Sequence, residues 1–211
     1  MRSKGASVGS EDTVVSGIME KNERKKNMAK IIMFMADGCE EVEALMTVDL
    51  IRRAGLEISM VSVSGNQMIN GSHGIVMKAD EMFESADYSD CEMLILPGGL
   101  VGTNNLKAHK GVNEKLAEFN QAGKMVAAIC AAPTALAAAG IMKGKKATCY
   151  PGMSDGLTEN GCAYEDVPVV VSENSITGRS LGAAVDFAFA IISHFSGEEA
   201  AEKVKKAIVV Y

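Results

Sequence analysis

The sequence predicts a three-layer α/β sandwich on a mostly parallel sheet, and three observations carry that expectation. From Lys30 onward short apolar runs alternate with helix-like segments, the pattern of strands joined by crossover helices. The 211 residues are 47% hydrophobic and 23% charged, enough for one well-buried core and too ordered a composition for a disordered chain. No internal repeat or linker interrupts the body, so residues 29–211 are expected to form one domain.

The elements follow in order. "IIMFMA" (31–36) reads as a buried first strand, and "EEVEALMTVDLIRRAG" (40–55) as a helix. Asp37 followed by Glu40 fits a capping box, Gly55 suits a left-handed helix end, and Val42, Leu45, Met46 and Leu50 form the expected apolar stripe. "EISMVSV" (57–63) is a second strand, and the segment 65–83 around "NGSHG" reads as a hairpin on an Asn-Gly turn. "EMLILPGG" (92–99) is a strand ending in a Pro-Gly-Gly loop, and "NEKLAEFNQAG" (113–123) belongs to a helix. "MVAAI" (125–129) then leads into Cys130 and an alanine-rich helix with Pro133 in its first turn, where the missing N–H costs nothing. "VPVVVSENSITG" (167–178) is β-like, and two helices close the chain over 182–195 and 197–209.

Charge and cysteine usage exclude several function classes. The net charge of −6 repels nucleic acid, and the basic runs "RKK" (24–26) and "KGKK" (143–146) read as solvated faces. Cysteines 39, 91, 130, 149 and 162 are widely spaced, without C-x-x-C or a Cys/His cluster. That pattern argues against a disulfide framework and a structural metal, and for a reducing, cytoplasmic compartment. No apolar stretch reaches the roughly 20 residues that span a bilayer. Residues 1–28 lack a signal core and read as a flexible extension or leader, with Met28 a plausible alternative start.

Sites on a parallel sheet form at the carboxyl ends of strands. Three segments meet that condition: "ADGCEEVE" (36–43), "LPGGLVG" (96–102) and "AICAAPT" (128–134). A thiol at a strand end directly before a helix meets free N–H groups that favour its thiolate, and the alanines around Cys130 leave room for a nucleophile elbow. Position alone leaves that reading and inert core filling both open. Glu43 favours reactivity. It shares a helix face with Met46 and Leu50, where a carboxyl leans toward apolar surroundings, keeps its proton more tightly and serves as general acid or base. Glu40 and Glu41 read as complements of the helix dipole. The Pro97-Gly98-Gly99 loop and the Ala131 amide are candidate oxyanion donors. His73, His109 and His194 read as surface or packing residues, so a complete Cys-His-Asp triad is not expected. Met33, Met35 and Met60 read as adaptable core filler.

Taken together, "ADGCEEVEA", "LPGG", "AAICAAPTAL", "SENSITGRS" and "DFAFAII" resemble the DJ-1/PfpI (ThiJ) superfamily, in its DJ-1-like branch, from about Lys30 to Val209. The resemblance implies a flavodoxin-like sandwich, a homodimer and a reactive, oxidation-sensitive Cys130 partnered by a protonated Glu43. It also implies backbone donors at Gly99 and Ala131, with Tyr150 and Gly98 as candidate substrate contacts. The implied activity is a cofactor-independent and metal-free glyoxalase or deglycase acting on small 2-oxoaldehydes or their adducts on protein. The alternative is an oxidative-stress sensor or chaperone acting through Cys130 oxidation. Two positions depart from the pattern. Ala131 stands where protease-like relatives have histidine, which disfavours protease or amidase chemistry. Tyr150 in "TCYP" stands where many DJ-1 proteins have a histidine, and Tyr150 is left to hydrogen-bond a substrate oxygen.

Overall fold

The computed structural model describes residues 30–210; the expected extension over residues 1–28 lies outside that range. A seven-stranded sheet runs in the order β10-β11-β7-β6-β1-β2-β5. Its strands are β1 (Lys30–Met35), β2 (Glu57–Ser62), β5 (Glu81–Met82), β6 (Cys91–Leu96), β7 (Met125–Ile129), β10 (Val169–Ser172) and β11 (Ser175–Gly178). Every neighbouring pair is parallel except the β10–β11 hairpin. Two small ribbons, β3 (Met68–Asn70) with β4 (Val76–Lys78) and β8 (Lys146–Ala147) with β9 (Ala163–Tyr164), complete the strands.

Side chains alternate across a strand, and this alternation divides the core in two. Ile31, Met33 and Met35 of β1 face one side with Met93, Ile95, Ala127 and Ile129, under α1 (Glu41–Arg53), α6 (Ala184–Ser196) and α7 (Glu198–Ala207). Ile32 and Phe34 face the other side with Leu94, Leu96, Val126 and Ala128, under α2 (Leu100–Ala108), α3 (Lys110–Gln121), α4 (Pro133–Ala138) and α5 (Asp155–Thr158). The expected three-layer, flavodoxin-like α/β sandwich is therefore the observed fold. β1 is followed by β2 on one side of it, whereas β6 lies on its other side. The strand order reverses between β1 and β6, and a crevice outside the carboxyl ends of the strands is the usual site position there.

Four local expectations need correction. The cap of α1 is Glu40, whose carboxylate accepts from the Glu43 amide; Asp37 instead accepts from the Asn70 amide. Val42 and Leu45 of the expected apolar stripe are exposed, and the buried face of α1 is Glu41, Glu43, Ala44, Thr47, Val48, Leu50 and Ile51. The hairpin turns through five residues between Asn70 and Val76, because Asn70 still pairs in the ladder. Helix α2 was not anticipated, since "LVGTNNLKA" shows little amphipathic pattern.

The β10–β11 turn puts Glu173 at φ 51, a left-handed conformation that costs a non-glycine residue roughly 1 kcal/mol or more. Asn174 holds the turn down. Its carbonyl accepts from the Val126 amide, its Nδ2 donates to the Lys124 carbonyl, and its Oδ1 accepts from the buried Lys145 ammonium. Replacing Asn174 by alanine leaves the Lys145 ammonium with only the longer bond to Asn120 Oδ1 and strands the Lys124 carbonyl, so Asn174→Ala should cost about 2 kcal/mol, read as a lower urea midpoint with an unchanged m-value.

Candidate active site

Cys130 follows β7 directly and adopts φ 62, in the left-handed region. A non-glycine residue there costs on the order of 1–3 kcal/mol and persists only when its surroundings fix it. They do so from both sides. The Cys130 amide donates to the Gly178 carbonyl at 2.9 Å, and its carbonyl accepts from the Tyr150 amide at 2.8 Å. The Ala132 amide closes the turn onto Ile129. This is the expected elbow, with the thiol partly exposed at the sheet edge.

Glu43 is 1% exposed and reaches the elbow from α1. Its Oε2 accepts from the Gly98 amide at 3.1 Å, while Oε1 is buried with no hydrogen-bond partner in the described structure. Burial raises the Glu43 pKa to about 7, with the charge of Glu40 adding to the rise and the Cys130 thiol and the Gly98 and Leu181 amides opposing it. The Cys130 thiol is pushed up to about 12 by burial, then by the charge and hydrogen bond of Glu43. The Ala131 and Gly99 amides pull it the other way. Burial outweighs both amides. The expectation of a thiolate supported by the helix start alone is corrected. The sulfur and the carboxyl compete for a proton, and the thiolate is favoured only when Glu43 carries it.

The β6 loop brings the two groups together. A Cβ at Gly98 would collide with Glu43 Oε2 and lie 2.6 Å from Cys130 Cβ, so only hydrogen fits there. Gly99, at φ 85, packs its α-carbon against the "DGCE" loop, where a Cβ would lie 2.5 Å from the Gly38 carbonyl. The Gly98 amide is already taken by Glu43, which makes this glycine a holder of the carboxyl and not a free donor. Tyr150 ties down the elbow through its backbone, and its ring is exposed.

The other carboxylates at the head of α1 have separate partners. Glu41 is 1% exposed; burial alone would raise its pKa, but the His73 and Ile75 amides and the His73 ring bring it down to about 2. Ser72 Oγ donates to it as well. Glu40, Glu41 and His73 bring three potential ligand atoms within 4.8 Å, yet both Glu41 oxygens are occupied by these hydrogen bonds, so the group is a clamp for the β3–β4 hairpin. His109 caps α3 through Nδ1 and packs on Phe83, and His194 stacks edge-on against Phe195. No histidine is found at the elbow. Sequence reasoning missed the Gly178 carbonyl, the Leu181 amide and the part taken by Glu40; only the "EEVE" spacing hinted at the last.

An elbow thiol opposite a buried carboxyl at the edge of a parallel sheet defines a class of α/β proteins, and comparison narrows it. The DJ-1/PfpI family pattern matches residues 29–194. Protein dj-1beta of Drosophila melanogaster is 33% identical over 179 residues, covering 85% of this chain and 96% of that protein. Its crystal structure superposes with a TM-score of 0.84 at 32% identity, over 87% of this chain and 99% of that one. The glutathione-independent glyoxalase DJR-1.2 of Caenorhabditis elegans is 29% identical over 84% of this chain and 94% of its own length. Oxidised DJ-1 of Toxoplasma gondii superposes with a TM-score of 0.81 at 28% identity, over 86% of this chain and 98% of that one. The chain belongs to the DJ-1/PfpI family.

The Glu43 carboxyl makes stability depend on pH with a definite sign. Its folded pKa of about 7 lies above the ordinary 4.5, so its contribution is full below 4.5 and is lost as pH rises through 7. Glu43→Gln removes that loss. Calorimetry at pH 5 and pH 8 should find the wild-type Tm falling relative to the variant over this interval.

Proposed function

We propose that the chain is a cysteine-dependent, cofactor-independent glyoxalase for small 2-oxoaldehydes such as methylglyoxal, with deglycase-like action on their protein adducts. The observation that carries this reading is the convergence on one sulfur of the Glu43 carboxyl and the Ala131 and Gly99 amides. A family relative named as a glutathione-independent glyoxalase supports it.

The steps follow from the geometry. Glu43 takes the thiol proton as sulfur adds to the aldehyde carbon, and the two amides stabilise the hemithioacetal oxygen as charge develops there. Glu43 then gives its proton to the neighbouring ketone oxygen and, so freed, takes the hydrogen of the former aldehyde carbon as a proton, giving an enediolate whose oxyanion the amides hold. Glu43 returns that proton to the second carbon, the enediolate collapses to a lactoyl thioester on Cys130, and water cleaves the thioester to release lactate and the thiol. The aldehyde carbon is oxidised and the ketone carbon reduced within one molecule, so the balance calls for no external oxidant. With Ala131 beside the thiol and no histidine at the elbow, protease or amidase chemistry is not proposed.

The exposed apolar side chains Val42, Leu45 and Leu181 support a homodimer that covers this end of the molecule. No described helix is long and apolar enough to cross a membrane, and five free thiols fit a reducing compartment, for which the cytoplasm is the proposed location. Purified protein with methylglyoxal and no glutathione should form lactate, and Cys130→Ser should abolish it. Turnover unchanged in that variant rules the mechanism out.

The unpartnered Glu43 Oε1 favours a second reading, in which Glu43 donates to an oxidised Cys130 sulfinate and the protein acts as an oxidative-stress sensor or chaperone. Dilute peroxide should then oxidise Cys130 before the buried Cys39, Cys91, Cys149 and Cys162. Peptide mass spectrometry that finds Cys39 or Cys149 oxidised first would count against it.

A further inference from the structure

All three carboxylates at the head of α1 are buried, at 8%, 1% and 1% exposure for Glu40, Glu41 and Glu43. Glu41 is occupied by the hairpin and Glu43 by the elbow. Glu40 lies between them. Its Oε2 accepts from the Glu43 amide at 2.7 Å, its amide donates to the Gly98 carbonyl at 2.9 Å, and its Oε1 faces His73 Nδ1 at 3.7 Å. Helix caps favour Ser, Thr, Asp or Asn, whose short side chains reach the amide at little entropic cost. Capping alone therefore gives no reason for glutamate here. What it adds is a full negative charge inside the site.

We propose that Glu40 is a positioning residue for the Cys130–Glu43 pair: it anchors the backbone of Glu43 and, through its charge, biases the shared proton toward Glu43 and away from sulfur. The inference rests on the reading of Cys130 and Glu43 as the reacting pair.

The surrounding charges make this specific. Glu43 is faced by Glu40 from its own helix and Cys130 from the elbow, while the β6 loop and the segment before α6 contribute only the Gly98 and Leu181 amides. Glu40 is faced by Glu43, by the neighbouring Cys39 thiol and Glu41, and by His73 from the hairpin. Among the described residues no lysine or arginine pairs with Glu40 or Glu43. A like charge on the same helix end disfavours the ionised carboxyl; the Glu40 charge is among the main influences on Glu43 and not among those on the sulfur. Removing it lets Glu43 ionise at lower pH and leaves the remaining proton on Cys130.

The test is the rate of Cys130 alkylation by iodoacetamide from pH 5 to 9, followed by peptide mass spectrometry in wild type, Glu40→Gln, Glu40→Asp and Glu40→Ala. Glutamine keeps an acceptor for the cap and removes the charge. It should move the acid limb of the profile down by about one pH unit and lower the plateau about tenfold. Aspartate keeps both features and should stay near wild type. Alanine should show the glutamine profile together with a lower Tm. A reactive Cys130 whose profile is the same in wild type and Glu40→Gln overturns this inference alone and reduces Glu40 to a cap. A wild-type Cys130 that alkylates no faster than the four buried cysteines overturns the reacting-pair reading, and this inference with it.

Discussion

The approach of Gly98 to both Glu43 and Cys130 is the contact on which the rest of the site depends. With only hydrogen at its α-carbon, the β6 loop passes between the carboxyl and the elbow and places an amide on Glu43 Oε2. A side chain there would push the acid away from the thiol or the loop away from both. The same loop carries Gly99, whose amide acts on the sulfur. One backbone path therefore positions the acid and an amide that lowers the proton affinity of the sulfur.

Around that contact the fold supplies rigidity at a strained point. The left-handed φ of Cys130 is held by Gly178 from β11 and by Tyr150 from the segment after β8. The strain of that conformation is held at a sulfur that stays partly open to solvent. The raised proton affinities of Cys130 and Glu43 share a cause, burial without a cation. Among the described residues no histidine lies at the elbow, so the two groups have only each other as proton partners among ionisable side chains there.

Much of this was legible in the chain. The strand-end cysteine with alanines and Pro133 announced the elbow, and the spacing of Glu43 from Met46 and Leu50 placed its carboxyl on an inward face. The reading of Val42 and Leu45 as core was wrong for an instructive reason. Helix α1 buries carboxylates where hydrophobic periodicity asks for aliphatics, because the hairpin and the β6 loop bring amides that satisfy them. A periodic pattern registers apolar residues and carries no record of a distant backbone donor.

Local signals in the sequence therefore determined the alternation of strands and helices, the parallel sheet, the elbow and its thiol, since strand runs, helix ends and turn residues act over a few positions. The tertiary structure decided which carboxylate meets the sulfur and how the proton is held. Those outcomes depend on burial and on donors far along the chain: the Gly98 amide is 55 residues from Glu43, and the His73 amide is 32 from Glu41. Only folding brings such groups within hydrogen-bonding distance, and at that range the local dielectric and the neighbouring charges fix the chemistry.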